Sequence, residues 1–145
     1  FDVVSDKKEY IGGAIAPGLN AMTDYLYERT ALLPHFSLAE PAGAIGKNTI
    51  AAMRIGAVIG YRGLVREILA AISREMKGGW TLPGVSKASV KSSGRKRILK
   101  VIATGGHSAL IASKIPEIGH VHPQLTIEGL RILYDRNVPL SRRRG

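Results

Sequence analysis

With 145 residues, 45% of them hydrophobic and 22% charged, the chain has the size and composition of one folded domain with a sizeable core, which excludes global disorder. Arg54, Arg62, Arg66, Glu67, Arg74 and Glu75 interrupt its longest apolar region, so no run of about 18 apolar residues is left to cross a membrane, and the lack of cysteine excludes disulfides, thiolate metal sites and a cysteine nucleophile. The formal charge of +10 is uneven, with acids in excess before Lys47 and bases dominant beyond Lys77, a field that favours anionic partners without specifying one.

Phe1 to Ser5 and Tyr10 to Ile15 are β-like runs separated by the polar "DKKE", which predicts an antiparallel hairpin. Gly12 and Gly13 inside the second run predict a bulge or a close approach of another backbone or a ligand. In "APGLNAMTDYLYERTALLP" Pro17 suits a first helical turn, Leu19, Met22, Leu26 and Leu33 follow a helical period, and Pro34 is a stop. "HFSLAEPAGAIGKNT" reads as a loop with at most a short strand at Phe36 to Leu38. Residues 48–77 predict the longest helix, capped by Asn48 or Thr49 and ending before Gly78-Gly79, with Tyr61, Leu64, Val65, Ile68, Leu69 and Ile72 on one apolar face. Ala52, Gly56, Gly60 and Gly63 fall close to one face of it and would admit a strand, a helix or a partner subunit at short range.

Residues 78–96, rich in Gly, Ser and Lys, read as a basic flexible insertion. "ILKVIATGG" then predicts a strand buried on both faces and ended by a tight turn. "HSALIASKI" reads as a short helix, "IGHVH" as a short strand, and "PQLTIEGLRILYDRN" as a last helix with Leu125, Leu130, Leu133 and Tyr134 apolar. The order predicts an α/β domain over residues 1–138 with a mixed β-sheet, followed by a basic tail at 139–145.

Two places could hold ligand. Thr104, Gly105 and Gly106 sit where a strand turns into a helix, where backbone N–H groups can face a phosphate; the same glycines also make an ordinary tight turn. Thr49 sits at the positive end of the long helix, suited to a carboxylate or phosphate, or to capping alone. "GGAIAPG" has no side chain for acid–base work and reads as a close approach or a packed turn. His120 and His122 alternate on one strand but lack the third ligand that zinc usually needs, so no metal site is expected. The bases from Lys87 to Lys100 and the "SRRRG" tail could grip nucleic acid, yet Trp80 is their only aromatic neighbour and no RNA-binding signature accompanies them, so they read as a solvated loop and tail. The acids at 24, 28, 67, 75, 128 and 135 read as helix surface charge, leaving no catalytic residue in this chain.

Taken in order, "FDVVS…GGAIAPGL", "IGKNT", "GAVIGYRGLV", "VIATGG" and "LTIEGLRILYDRN" resemble the C-terminal half of a type III pantothenate kinase, over nearly all of residues 1–138 except 78–96. The resemblance implies an actin-like (ribonuclease H-like) domain of the acetate and sugar kinase/actin superfamily, with helices on both faces of the sheet and its first strand lying upstream of Phe1. It implies a cytoplasmic homodimer that binds ATP between two such domains and phosphorylates pantothenate to 4'-phosphopantothenate, the first step of coenzyme A synthesis, with pantothenate near the subunit interface. Carried over by residue, Thr49 contacts pantothenate, and Thr104, Gly105 and Gly106 lie at the nucleotide. The family's Asp-x-Gly phosphate loop, its "GxDR" segment with the general-base Asp, and its loop for phosphate and a monovalent cation have no counterpart here. The resemblance therefore implies that Mg2+ and potassium or ammonium serve the full-length enzyme through the missing N-terminal half, and that this chain alone is inactive. The alternative is a non-catalytic relative that dimerises or binds nucleic acid through its basic half; neither a membrane nor a nucleic-acid partner is favoured.

Overall fold

In the computed structural model, which describes residues 1–30, 32–76, 80–83 and 97–138, β1 (Asp2–Val4) pairs antiparallel with β2 (Tyr10–Gly13). The hairpin expected from the two β-like runs is present. Its register shifts between Val3 and Val4, and Gly12, opposite Val3, has φ 121°, a value that side-chain-bearing residues avoid. Gly13 lies so close to Phe1 that an added Cβ would overlap the Phe1 carbonyl oxygen. A bulge and a close backbone approach thus account for the two glycines. The Phe1 nitrogen donates to the Ala14 carbonyl at 2.7 Å, and the Ala14 N–H returns a bond to the Phe1 carbonyl at 2.9 Å.

Two compact units make up the chain, Phe1–Ile72 and Ser73–Gly145. In the first, α1 (Leu19–Glu28) buries Leu19. It stops well before Pro34, with Thr30 Oγ1 donating to the Leu26 carbonyl at 2.6 Å and so competing for a helical acceptor. Tyr27 then stacks on His35, ring centroids 3.5 Å apart. No strand forms at Phe36 to Leu38; the Ser37 carbonyl accepts instead from Arg54 Nε at 3.1 Å.

α2 (Thr49–Glu75) is 27 residues long. Asn48 Oδ1 accepts from the Ala51 N–H at 2.8 Å, so Asn48 rather than Thr49 is the side-chain cap. Its buried residues are Met53, Ala57, Val58, Arg62, Val65 and Leu69. The expected apolar face is therefore rotated: Val65 and Leu69 are buried, whereas Tyr61, Leu64, Ile68 and Ile72 are partly exposed. No atom stands within 4 Å of where a Cβ would lie on Gly56, Gly60 or Gly63. Among the described residues, nothing packs closely on Gly56, Gly60 or Gly63.

The second unit holds β3 (Trp80–Thr81), parallel to β4 (Arg97–Ile98), and β5 (Ile102–Ala103), parallel to β6 (His120–Val121). Arg97 lies over the Trp80 ring, 5.5 Å from its centroid, a cation–π arrangement. β3 falls within the stretch read as a flexible insertion; the rest of 78–96 apart from 80–83, and the tail at 139–145, lie outside the described residues. The single strand expected through "ILKVIATGG" is two short ones, and Ile98 and Ile102 are exposed rather than buried on both faces. The expected mixed sheet accordingly takes the form, among the described residues, of three two-stranded sheets, one antiparallel and two parallel. The α/β class holds.

α3 (Ser108–Ala112) follows β5 and buries Ile111, close in sequence to Ile115, which is 1% exposed. α4 (Leu125–Asn137) buries none of its residues. Of the apolar residues noted in its sequence, Leu125 is 40% exposed and Leu130, Leu133 and Tyr134 are all more than half exposed. No helix of the described residues is long and apolar enough to cross a membrane.

Candidate functional site

In the first unit, Met22, Tyr25 and Leu26 of α1 and Thr49, Ala52 and Gly56 of α2 line a groove of about 700 Å³. Small side chains at Ala52 and Gly56 leave its floor open, one helical turn apart on the same face. Thr49 is the first residue of α2 and is exposed at the groove. Because Asn48 serves as the cap, the Thr49 hydroxyl keeps its bonding capacity, and it has no hydrogen-bond partner among the described residues. It stands beside a helix end whose first N–H groups carry partial positive charge. A polar hydroxyl at the edge of an otherwise apolar groove suits a ligand with a hydrocarbon body and a polar or anionic group.

The approach to Thr49 is tightly built. A Cβ on Gly46 would lie 2.5 Å from the Ala52 nitrogen and 2.7 Å from its Cα, so only glycine fits against that first turn without backbone movement. Upstream, Glu40 receives two bonds from Arg62, Nη1 to Oε1 at 3.0 Å and Nη2 to Oε2 at 2.6 Å. In the sequence Arg62 marks an interruption of an apolar region, and nothing adjacent to it points to Glu40. A lone arginine on the buried side of the helix was the available signal, since such a group needs a carboxylate or carbonyl partner.

Thr104, Gly105 and Gly106 form the turn between β5 and α3, in the second unit, and all three are exposed. Gly105 has φ 96°, and a Cβ on either glycine would meet nothing within 4 Å. The turn is therefore required by backbone conformation at Gly105 and open to solvent at both. Ser108 donates to the Gly105 carbonyl through Oγ at 2.6 Å and through its N–H at 3.1 Å. With only five residues, α3 adds little dipole, and anion binding here would depend on the N–H groups of the turn itself.

The Thr104 hydroxyl is 3.5 Å from the Pro123 carbonyl, and the His122 N–H donates to the Ala103 carbonyl at 2.8 Å. The turn thus lies at the C-terminal ends of the parallel pair β5 and β6, where open α/β sheets bind ligands. His122 Nε2 is 3.6 Å from Glu128 Oε2, whereas His120 is exposed; the two histidines do not converge with a third ligand among the described residues.

The family model for type III pantothenate kinase matches residues 1–71. A type III pantothenate kinase from Akkermansia muciniphila is 46% identical over 138 residues, covering 95% of this chain and 49% of that protein. One from Moorella thermoacetica is 43% identical over 137 residues, 94% of this chain and 46% of that protein, and one from Dehalococcoides mccartyi is 39% identical over 94% and 45% respectively. Along nearly all of its own length the chain matches type III pantothenate kinases, and it spans about half the length of these curated relatives.

Proposed function

We propose that this chain supplies half of the ligand-binding cleft of an ATP-dependent type III pantothenate kinase, with Thr49 binding pantothenate and the Thr104–Gly105–Gly106 turn binding the nucleotide. The observation that carries the reading is the 46% identity to a type III pantothenate kinase across 95% of the chain. The geometry supplies the chemistry for each role. Thr49 can donate to or accept from pantothenate's amides, hydroxyls or carboxylate, the helix end attracts the carboxylate, and the groove receives the hydrocarbon part. The exposed turn can direct N–H groups at phosphate oxygens.

Phosphoryl transfer needs alignment of the attacking hydroxyl with the γ-phosphoryl group, neutralisation of charge, and an acceptor for the hydroxyl proton. This chain's part is alignment. By the same family reading, Mg2+ and a monovalent cation would be held by the remainder of the full enzyme. The general base is assigned there too. The same family reading takes in the actin-like fold with a strand preceding Phe1, the cytoplasmic homodimer and a pantothenate site near the subunit interface. The nucleic-acid alternative rests on the bases from Lys87 to Lys100 and on the tail at 139–145, of which Arg97 and Lys100 are described and the rest lie outside the described residues.

A kinase assay with ATP, pantothenate and potassium tests the reading. The 145-residue chain is expected to show no turnover alone, and the full natural chain carrying these residues to phosphorylate pantothenate. In the latter, Thr49→Val should raise KM for pantothenate about tenfold, the worth of one lost hydrogen bond to a polar ligand. Turnover by the isolated chain, or no pantothenate phosphorylation by the full one, would overturn it.

A further inference from the structure

Residues 35–48 contain no helix or strand, yet they join two residues that both line the groove, Leu33 and Thr49. Besides the Asn48 cap, three attachments fix them to α2: Arg54 to the Ser37 carbonyl, Gly46 against the backbone of Ala51 and Ala52, and Arg62 to Glu40. The third is chemically the most demanding. The Arg62 side chain is 8% exposed and that of Glu40 46%, so the guanidinium has been taken out of water on a helix face whose other buried residues, Met53, Ala57, Val58, Val65 and Leu69, are all apolar.

An apolar residue at this position would serve stability as well, because desolvating a guanidinium offsets much of the attraction it gains. What an apolar residue cannot do is specify one loop position. Two parallel bonds from a planar fork to a carboxylate fix distance and plane together, which neither lysine nor a hydrophobic contact does. Glu40 precedes Thr49 by nine residues, and Gly46 and Asn48 between them form the packed and capped entry to the helix.

We propose that Glu40 and Arg62 are positioning residues for pantothenate binding, holding the 35–48 loop so that the groove residues at its two ends, Leu33 and Thr49, keep one spacing. The inference rests on the reading of Thr49 as a pantothenate contact. Neither residue touches the substrate in this scheme; both act through the loop.

The test is steady-state kinetics on the full natural chain carrying these residues, with pantothenate and ATP varied separately. Glu40→Gln removes the charge and keeps the shape, and is expected to raise KM for pantothenate about tenfold while kcat and KM for ATP change less than about twofold. Arg54→Gln alters the solvent-exposed attachment at Ser37 and is expected to raise the same KM about threefold. It supplies a second reading if Glu40→Gln folds poorly. An unchanged pantothenate KM in both variants, or a fall in kcat at constant KM, would overturn the positioning role and leave a pair that only supports the fold. If Thr49→Val leaves pantothenate KM unchanged, the assignment of Thr49 fails and the positioning role with it, an outcome distinct from failure of the clamp alone.

Discussion

Asn48 and Thr49 are neighbours with similar side-chain chemistry, and the fold gives them different work. Asn48 accepts the Ala51 N–H, so Asn48→Ala should cost about 1 kcal/mol of stability, visible as a lower denaturant midpoint. Thr49→Val should leave that midpoint within about 0.5 kcal/mol while, on the role proposed for it, weakening pantothenate binding. The sequence marked both positions as helix-cap candidates, but the choice depends on which residue has the extended backbone conformation that aims its side chain at the next N–H groups. A parallel contrast holds at the glycine pair. Gly105 has φ 96° and Gly106 does not share that conformation, so Gly105→Ala should destabilise by about 1 kcal/mol and Gly106→Ala by less than half as much. Thermal unfolding of the two variants would check this, and equal shifts would contradict it. That a tight turn stood here was legible from "TGG"; which glycine needed the left-handed backbone was not.

At the scale of elements, long periodic segments were the most legible. α2 was expected over residues 48–77 and is found at Thr49–Glu75. Its buried side differs from the predicted apolar face because Arg62 lies on it, paired with a residue 22 positions away; an arginine there signals that a partner is needed, but local periodicity does not say which residue supplies it. Glu40→Ala removes the carboxylate from a nearly buried guanidinium, and with Glu40 itself about half exposed the loss should be about 2 kcal/mol, between the surface and buried limits. Glu40→Leu combined with Arg62→Met should recover most of it, as read from denaturant midpoints. Short strands were the least legible elements. The two-residue strands β3 to β6 are defined by partners 17 or 18 residues away, Trp80 with Arg97 and Ile102 with His120, and a continuous apolar run such as "ILKVIA" does not reveal where one ladder stops and another starts.

Across the whole molecule, the sequence resemblance identified the family, and the relatives' greater length gives the exposed apolar surface of α4 its setting. Ile127, Leu130 and Tyr134 follow one another at helical spacing and are 66%, 57% and 53% exposed. Such a stripe favours association in water. Leu130→Lys with Tyr134→Lys should therefore lower the apparent mass of the isolated chain at high concentration, measured by light scattering; an unchanged mass would mean that this stripe does not drive association.

Trp80 is the only tryptophan in the chain, and it belongs to the unit that contains β3 to β6, while α1 and most of α2 belong to the other. Indole emission is therefore an optical report on the second unit, made sensitive by the guanidinium over the ring, whereas among the described residues α1 and most of α2 give the first unit the larger share of the helical dichroism. The chain carries its own two-channel readout. Recorded on one sample, the pair of signals assigns the destabilisation caused by a substitution at Glu40 or at Gly105 to the unit in which it arises, with no label attached.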